Sequence, residues 1–164
     1  MKNFSKYFAT LFGIGFISLA PGTFGSLFAI LIWYVFIDLF SIFYFIVLFL
    51  YVLSVSFYFT DIYLDNYKKK DPSEVIVDEF IGQSIPIYLY EISHETEKSP
   101  DEAIIFYGIC FILFRFFDIK KPFPVSFFDK NYKNSFGVIM DDICAGFYVV
   151  LSLICFMIFK SYFI

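Results

Sequence analysis

Long apolar segments separated by short polar ones make up most of the chain. Residues 26–60 form a segment of 35 residues in which Asp38 is the single charged side chain. As one helix starting at Ser26, this segment would extend ~50 Å, well beyond a hydrocarbon core of ~30 Å. The pattern therefore predicts two antiparallel membrane-spanning helices with a turn between Asp38 and Ser41.

A third spanning helix is predicted after the basic segment that follows. Asp71 is a suitable N-cap, Pro72 suits the first helical position, and Glu74 completes an arrangement similar to a capping box. The helix then enters an apolar stretch that contains Gly82 and Pro86, where a kink is expected. We therefore expect this helix to carry polar residues from its first turns into the membrane.

Two more apolar segments, residues 103–117 and 138–159, complete the predicted spans. Residues 8–20 are also apolar, but 13 residues of helix extend only ~20 Å and do not cross a bilayer comfortably. We expect them to enter and return on one face, ending in a loop at Pro21-Gly22-Thr23. Residues 1–164 are thus predicted to form one domain, an all-α polytopic membrane protein. Its fold is a compact bundle of about five transmembrane helices plus an N-terminal half-span or re-entrant segment.

Composition agrees with this class. Hydrophobic residues make up 60% of the chain, charged residues 17%, and the mean hydropathy is +0.76. Soluble domains average about 25% charged residues. We therefore expect an integral membrane protein with the lipid bilayer as a partner and no nucleic acid.

The basic side chains predict how the bundle is oriented. With the N-terminus inside, ten basic residues fall on one face and two, Lys98 and Lys160, on the other. The ten are Lys2, Lys6, Lys68, Lys69, Lys70, Arg115, Lys120, Lys121, Lys130 and Lys133. Because positive residues concentrate in cytoplasmic loops, this face is predicted to be cytoplasmic. The loop at Pro21-Gly22-Thr23 lies on the same face.

Acidic residues inside the apolar segments are the candidates for chemistry. This topology brings two acidic pairs and an Arg-x-x-Asp motif to the cytoplasmic face, and they are Asp78-Glu79, Asp141-Asp142 and Arg115 with Asp118. Each buried acid costs ~3 kcal/mol on insertion scales, so such residues are functional candidates. The nearby bases cannot neutralise all of them, whereas Mg²⁺ prefers oxygen ligands. A magnesium site is therefore predicted, with one member of a pair free to act outside the metal's ligand shell.

Several basic and backbone groups near these acids suit a phosphate. Arg115 and Asp118 are three residues apart and share a helix face. Lys121 is predicted at a helix end, where it is free to meet a phosphate. Thr23, next to Gly22, resembles an anion-binding helix N-terminus.

Other polar residues carry simpler interpretations. Asp129 and Lys130 are expected to be solvated loop charges, although Asp129 is close enough in sequence to help the site. His94, the one histidine, falls on the opposite face as a plain loop residue, so a phosphohistidine mechanism lacks its nucleophile. The mechanism of phosphoryl transfer that remains is metal-assisted attack of water on a phosphate. The alternatives are a small transporter or divalent-cation-binding protein that uses the same acids, and a non-catalytic subunit that scaffolds a partner.

Four motifs in order resemble one known family. They are "APGTFGSL", "DPSEVIVDEFIGQ", "FRFFDIKKPFP" and "GVIMDDICAG", and together they resemble the phosphatidylglycerophosphatase A family. The resemblance covers residues 12–150. It implies a Mg²⁺-dependent, multi-pass enzyme of the bacterial inner membrane with its site facing the cytoplasm. Its substrate would be the phospholipid phosphatidylglycerophosphate, and its products phosphatidylglycerol and inorganic phosphate.

The resemblance also implies roles for residues in the matching motifs. It implies that five acids bind the metal ion or handle water, and these are Asp78, Glu79, Asp118, Asp141 and Asp142. The catalytic residues among them would be Asp78, Glu79, Asp118 and Asp142. The metal ligands would be Asp78, Glu79, Asp141 and Asp142. Gly22, Thr23, Arg115 and Lys121 are the candidates for binding the phosphate. The chain departs from the family's pattern at Asn134-Ser135, where similar members often have Gly-Gly.

Overall fold

A computed structural model describes residues 2–67, 72–93 and 99–163, and within these residues the chain is helical and contains no strand. The helices are α1 (Lys2–Ala9), α2 (Pro21–Leu39), α3 (Ile42–Tyr67), α4 (Val77–Ser93), α5 (Pro100–Lys120), α6 (Val125–Asn131) and α7 (Ser135–Phe163), with a 3₁₀ turn at Ile14–Phe16. The predicted all-α class is confirmed. Asp71, His94 and four of the lysines used for the orientation, Lys68, Lys69, Lys70 and Lys98, lie outside the described residues.

Three of the described helices are long and apolar enough to cross a membrane, and they are α2, α3 and α7. The number differs from the five predicted because α4 has only 17 residues and α5 carries charged residues in both end regions. The turn between α2 and α3, after Leu39 and before Ile42, lies where it was predicted. Five spans, with α4 and α5 as the remaining two, stay a prediction.

Helix α4 lies at the centre of the bundle. It packs against α7, α2, α3 and α5, and most of its side chains are buried. On its α2 side, Trp33 stacks on Phe45 with ring centroids 3.7 Å apart and donates a hydrogen bond of 2.5 Å to Ser84 Oγ. A helix surrounded by partners on all sides needs no polar face. The first turn of α4, which carries Asp78 and Glu79, therefore lies among the other helices and not at the lipid-facing surface.

Two helices begin at other residues than predicted. Helix α2 begins at Pro21, not at Ser26, so the predicted loop Pro21-Gly22-Thr23 is its first turn. The reason is that proline suits the first helical position, where a backbone N–H would be unpaired in any case. Ala20, in the left-handed region at φ 52°, precedes it and redirects the chain.

Helix α4 begins at Val77, five residues later than the predicted Pro72. The residues before it are held by the N-terminal segment, since the Ile76 N–H donates to the Ala9 carbonyl at 3.0 Å. A Cβ at Gly15 would overlap the backbone carbonyl of Glu74, so the two segments are in direct contact. These tertiary contacts replace the predicted capping box.

The N-terminal segment stays at one end of the bundle. Helix α1 has eight residues, or ~12 Å of helix, and packs on α3 through Phe4 and Phe59, whose ring centroids are 4.8 Å apart. Positive φ angles at Leu11, Phe12 and Gly13 then reverse the chain. The segment therefore does not cross the bundle, as expected for a half-span.

Two glycines bring α4 and α7 together just below the acidic residues. A Cβ at Gly82 would lie 2.5 Å from the Asp142 carbonyl oxygen, and a Cβ at Gly146 would overlap the Gly82 carbonyl. Each glycine follows an acid by four residues, Gly82 after Asp78 and Gly146 after Asp142. Close backbone approach at this crossing therefore sets the distance between the two acids.

Candidate active site

A polar cavity of about 250 Å³ lies where α4 and α7 begin and α5 ends. Its charged lining consists of six carboxylates and three bases, and these are Asp78, Glu79, Asp118, Asp129, Asp141, Asp142, Arg115, Lys121 and Lys133. Gly22 and Pro21 at the start of α2 also line it. The cavity therefore has an excess of acids, as expected for a site that attracts a cation.

Three of these acids converge at the bottom of the cavity. Asp78, Glu79 and Asp142 each place one carboxylate oxygen within 4.8 Å of the other two. Asp78 and Asp142 are buried, and among the described residues Asp78 Oδ1 and Glu79 Oε2 have no hydrogen-bond partner. Buried carboxylate oxygens without partners are costly. The three converging carboxylates fit a hard divalent cation such as Mg²⁺, which takes oxygen ligands.

The second acidic pair is divided between two partners. Asp142 points to the acidic cluster, whereas Asp141 Oδ2 accepts a hydrogen bond of 2.8 Å from Lys121 Nζ. Adjacent residues of a helix point ~100° apart, which explains the division. Of the four predicted metal ligands, the structure brings three together and places Asp141 with a lysine.

Arg115 lies beside the cluster and is held by two acids. Its Nη1 is 2.6 Å from Asp118 Oδ2 and 4.0 Å from Glu79 Oε1. The ion pair with Asp118 agrees with the predicted common helix face. Gly22 packs against the same groups, because a Cβ there would overlap the Glu79 carboxylate and lie 3.0 Å from Arg115 Nη1. A side chain at position 22 would therefore displace the ends of the Glu79 and Arg115 side chains.

Lys121 closes another side of the cavity. It follows the last residue of α5 in the left-handed conformation, with φ 44°, and its Nζ also donates to Asp129 Oδ1 at 2.9 Å. Burial lowers the pKa of Lys121, but the charges and hydrogen bonds of Asp141 and Asp129 outweigh burial and raise it. Burial likewise raises the pKa of Asp129, and Lys121 outweighs this and holds it below the usual value. Both groups are therefore charged near neutral pH, and Lys121 is paired instead of free.

Thr23 is the one predicted site residue that does not line the cavity. Its backbone N–H donates to the Ala20 carbonyl at 3.0 Å, so this donor is already used within the first turn of α2. The neighbouring Gly22 takes the place at the cavity wall.

Helix α6 was not predicted. Asp129 was expected to be a solvated loop charge that could help the site, and it lies on α6 and lines the cavity together with Tyr132 and Lys133. The available signal was the proline before this segment, since Pro124 precedes the first residue of the helix. Lys133 Nζ donates to the Asp129 carbonyl, which ties the end of α6 to the site.

Asn134 and Ser135, where the chain departs from the pattern given above, stand at the start of α7. Asn134 Oδ1 accepts a hydrogen bond of 3.2 Å from the Gly137 N–H, which is N-capping geometry. The Ser135 N–H donates to Asp61 Oδ1 of α3 at 3.0 Å. These bonds anchor the helix that carries Asp142.

Fold and site together define a helical integral membrane protein with an acidic, cation-suited cavity at one end of its bundle. The family model described as Phosphatidylglycerophosphatase A matches residues 7–157. The chain belongs to the phosphatidylglycerophosphatase A family.

Curated relatives agree with this membership. A phosphatidylglycerophosphatase A of Haemophilus influenzae is 32% identical, over 85% of this chain and 80% of the relative. The phosphatidylglycerophosphatase A of Escherichia coli is 31% identical, over 89% and 79%. A Bacteroides thetaiotaomicron protein named putative phosphatidylinositol-3-phosphatase is 38% identical, over 85% and 84%. No solved structure matches the chain.

Proposed function

We propose that residues 1–164 form a single membrane-embedded phosphatase domain that hydrolyses the terminal phosphate of phosphatidylglycerophosphate. The products are phosphatidylglycerol and inorganic phosphate. The observation that carries the proposal is the convergence of Asp78, Glu79 and Asp142 beside Arg115 at one end of an apolar bundle. Family membership supports the substrate, because two relatives carry this activity in their names.

The acidic cluster would hold Mg²⁺ through Asp78, Glu79 and Asp142. When bound, the ion supplies Lewis-acid stabilisation of phosphate oxygens and a more acidic water. Asp141 contributes through Lys121, to which it is hydrogen-bonded, and not as a ligand. This assignment differs from the sequence-based one in moving Asp141 out of the metal site.

Arg115 and Lys121 would neutralise the negative charge of the phosphate. Arg115 Nε is buried without a hydrogen-bond partner among the described residues, so it has a donor available for a phosphate oxygen. A guanidinium presents two parallel donors, which suits phosphate geometry. Asp118 holds the guanidinium in place through their 2.6 Å ion pair. Asp118 therefore acts as a positioning residue in this proposal.

Hydrolysis requires one proton to leave the attacking water and one to reach the departing alcohol. Asp78 Oδ1 and Glu79 Oε2 lack partners among the described residues, so either carboxylate can accept the first proton. The water oxygen bonds to phosphorus while the bond from phosphorus to the lipid oxygen breaks. The headgroup alkoxide leaves and takes up the proton that the carboxylate had accepted, so that phosphatidylglycerol and hydrogen phosphate are formed and the carboxylate is regenerated.

We also propose that the site faces the cytoplasm in the bacterial inner membrane. Basic residues at the cavity end of the described helices support this orientation, and they are Lys2, Lys6, Arg115, Lys120, Lys121, Lys130 and Lys133, whereas Lys160 lies near the other end of α7. A surplus of positive charge is typical of the cytoplasmic side. The fully buried Ile81 of α4 and Phe114 of α5 fill the bundle below the cavity. Their packing favours chemistry at one face over transport across the bilayer.

A second candidate substrate is phosphatidylinositol 3-phosphate. It is favoured by the Bacteroides relative, whose name carries that activity and whose identity to this chain is 38%. Both lipids bear a phosphomonoester on a phosphatidyl headgroup. The same cluster would serve either one, and the headgroup selects between them.

The test is phosphate release by the purified protein in detergent, from each of the two lipids, with Mg²⁺ or with EDTA. We expect Mg²⁺-dependent release from phosphatidylglycerophosphate that Asp142→Asn abolishes. Asp38→Asn is the matched control, because it makes the same change at an exposed acid at the other end of α2. Release that persists in EDTA or in Asp142→Asn would contradict the proposed site. Release from the inositol lipid alone would select the second candidate.

A further inference from the structure

An apolar groove of about 390 Å³ runs between α2 and α5 on the outer surface of the bundle. Leu27, Leu31 and Tyr34 of α2 line one side, and Ile104, Gly108 and Phe111 of α5 line the other. Leu31 is 60% exposed and Ile104 57% exposed. The groove is therefore open to the surrounding hydrocarbon along its length.

Gly108 gives the groove its depth. A Cβ built on this residue meets no heavy atom within 4 Å, whereas one at Gly82 or Gly146 meets the backbone of the neighbouring helix. Close helix packing thus explains the other two glycines of the bundle core but not this one. At position 108 the absent side chain leaves space that faces the groove.

The groove leads to the polar cavity. On α5, residues 104, 108, 111, 115 and 118 are three or four residues apart, so they follow one helix face from the groove to Arg115 and Asp118. On α2, residues 23, 27, 31 and 34 follow one face, and this face begins next to Gly22 of the cavity wall, although Thr23 itself does not line the cavity. The apolar groove therefore begins about one helical turn, ~6 Å, from the residues that surround the phosphate site.

Two aromatic rings meet across the groove away from the cavity. The rings of Tyr34 and Tyr107 meet edge to face with centroids 6.3 Å apart. From Leu27 to Tyr34 the groove follows ~10 Å of helix. One end of the groove therefore lies at the polar cavity, and the other end is apolar.

A second apolar groove, lined by Leu53, Leu89 and Phe147 among others, lies between α3, α4 and α7. Close packing separates it from the acids, because Gly82 lies between Ile85 and Asp78 on α4 and has no free space beside it: a Cβ there would lie 2.5 Å from the Asp142 carbonyl oxygen and 2.6 Å from the Phe114 ring. The α2/α5 groove therefore continues the active-site cavity, whereas the second groove does not.

We propose that the α2/α5 groove binds one acyl chain of the lipid substrate while its phosphate lies in the acidic cavity. The inference rests on the proposed phosphatase function. Hydrocarbon surrounds the groove, so its contribution is to align the lipid and not to extract the chain from water. Alignment of the headgroup with the cluster then raises the rate at which bound lipid reacts.

The first test is to fill the groove with Gly108→Leu, with Leu89→Phe in the other groove as the control. We expect Gly108→Leu to lower kcat/KM for dioleoyl phosphatidylglycerophosphate about tenfold and to change that for the dibutyryl lipid by less than about twofold. A butyryl chain has only three carbons beyond its carboxyl carbon and makes few contacts in the groove, so filling the groove removes little of its alignment. Leu89→Phe should act on both lipids alike. Equal effects of Gly108→Leu on the two lipids, or none on either, would overturn the proposal.

The second test does not depend on turnover. Wild-type protein is cross-linked in EDTA with phosphatidylglycerophosphate that carries a diazirine in one acyl chain, and the labelled peptides are mapped. We expect labelling of residues 27–34 and 104–111 that excess unlabelled phosphatidylglycerophosphate suppresses and phosphatidylcholine does not. Equal labelling of both grooves would overturn the proposal even if the enzyme hydrolyses the lipid. If the groove were labelled selectively but the enzyme released no phosphate from this lipid in the Mg²⁺ assay, the groove would be upheld and the proposed function overturned.

Discussion

The crossing of α4 and α7 at Gly82 is the contact on which the acidic cluster depends most directly. In Gly82→Ala, the added methyl group would lie 2.5 Å from the Asp142 carbonyl oxygen and 2.6 Å from the ring of Phe114. To restore an ordinary contact of about 3.4 Å, α4 and α7 would have to move apart by about 0.9 Å at this point. Since functional geometry tolerates displacements of only ~0.5 Å, the distance between Asp78 and Asp142 should change enough to disturb the site.

Two effects should follow from this separation. Overpacking costs ~1–3 kcal/mol of stability. Mg²⁺ demands near-ideal geometry at ~2.1 Å, so the Mg²⁺ concentration for half-maximal phosphate release should rise by a factor of ~10–100. The assays are thermal unfolding in detergent and phosphate release across a Mg²⁺ titration.

Gly108→Ala serves as the stability control for this prediction. It adds the same methyl group where no heavy atom lies within 4 Å, so its unfolding temperature should equal or exceed that of the wild type. If Gly82→Ala kept both the unfolding temperature and the Mg²⁺ requirement of the wild type, the reasoning that this glycine sets the spacing of the acids would be refuted.

Three further predictions concern other groups around the cavity. Arg115→Lys should reduce kcat/KM by ~10²-fold, because an ammonium cannot replace the planar pair of donors beside Asp118, and an unchanged kcat/KM would remove Arg115 from the site. The pKa of Asp129 is depressed, so its ion pair with Lys121 adds stability that is present above the ordinary carboxyl pKa of ~3.9 and lost as pH falls through the depressed value. The stability difference between wild type and Lys121→Met, followed by thermal unfolding from neutral to acidic pH, should therefore shrink on acidification, and a constant difference would contradict this ion pair. Gln83 is fully buried, and within the described part of the chain neither amide atom has a partner, so Gln83→Leu should stabilise the protein by ~1–3 kcal/mol. A drop in unfolding temperature for Gln83→Leu would show that the amide has a partner in the native protein.

Hydrophobic patterning and local spacing were enough to predict several features of this protein. The turn after Asp38 follows from the length of the apolar segment, because hydrocarbon thickness limits a span. The common helix face of Arg115 and Asp118, on which the structure shows an ion pair, follows from their spacing of three residues. The acids of the cluster were recognisable because charge inside an apolar segment is costly unless it has a function. These features depend on neighbours in sequence or on the bilayer, and both are readable from the chain alone.

Tertiary contacts decided the rest. Asp141 and Asp142 are adjacent and chemically equal, and only the crossing of α4 and α7 determines which one joins the cluster and which one meets Lys121. The start of α4 depends on a hydrogen bond from Ile76 to Ala9, which is distant in sequence, so its local capping signals were overridden. Asp129 reaches the cavity because α6 packs against α7. Sequence alone thus determined which residues are too polar for their surroundings, and the packing of distant helices determined their partners, because side-chain direction depends on the rotation and approach of whole helices.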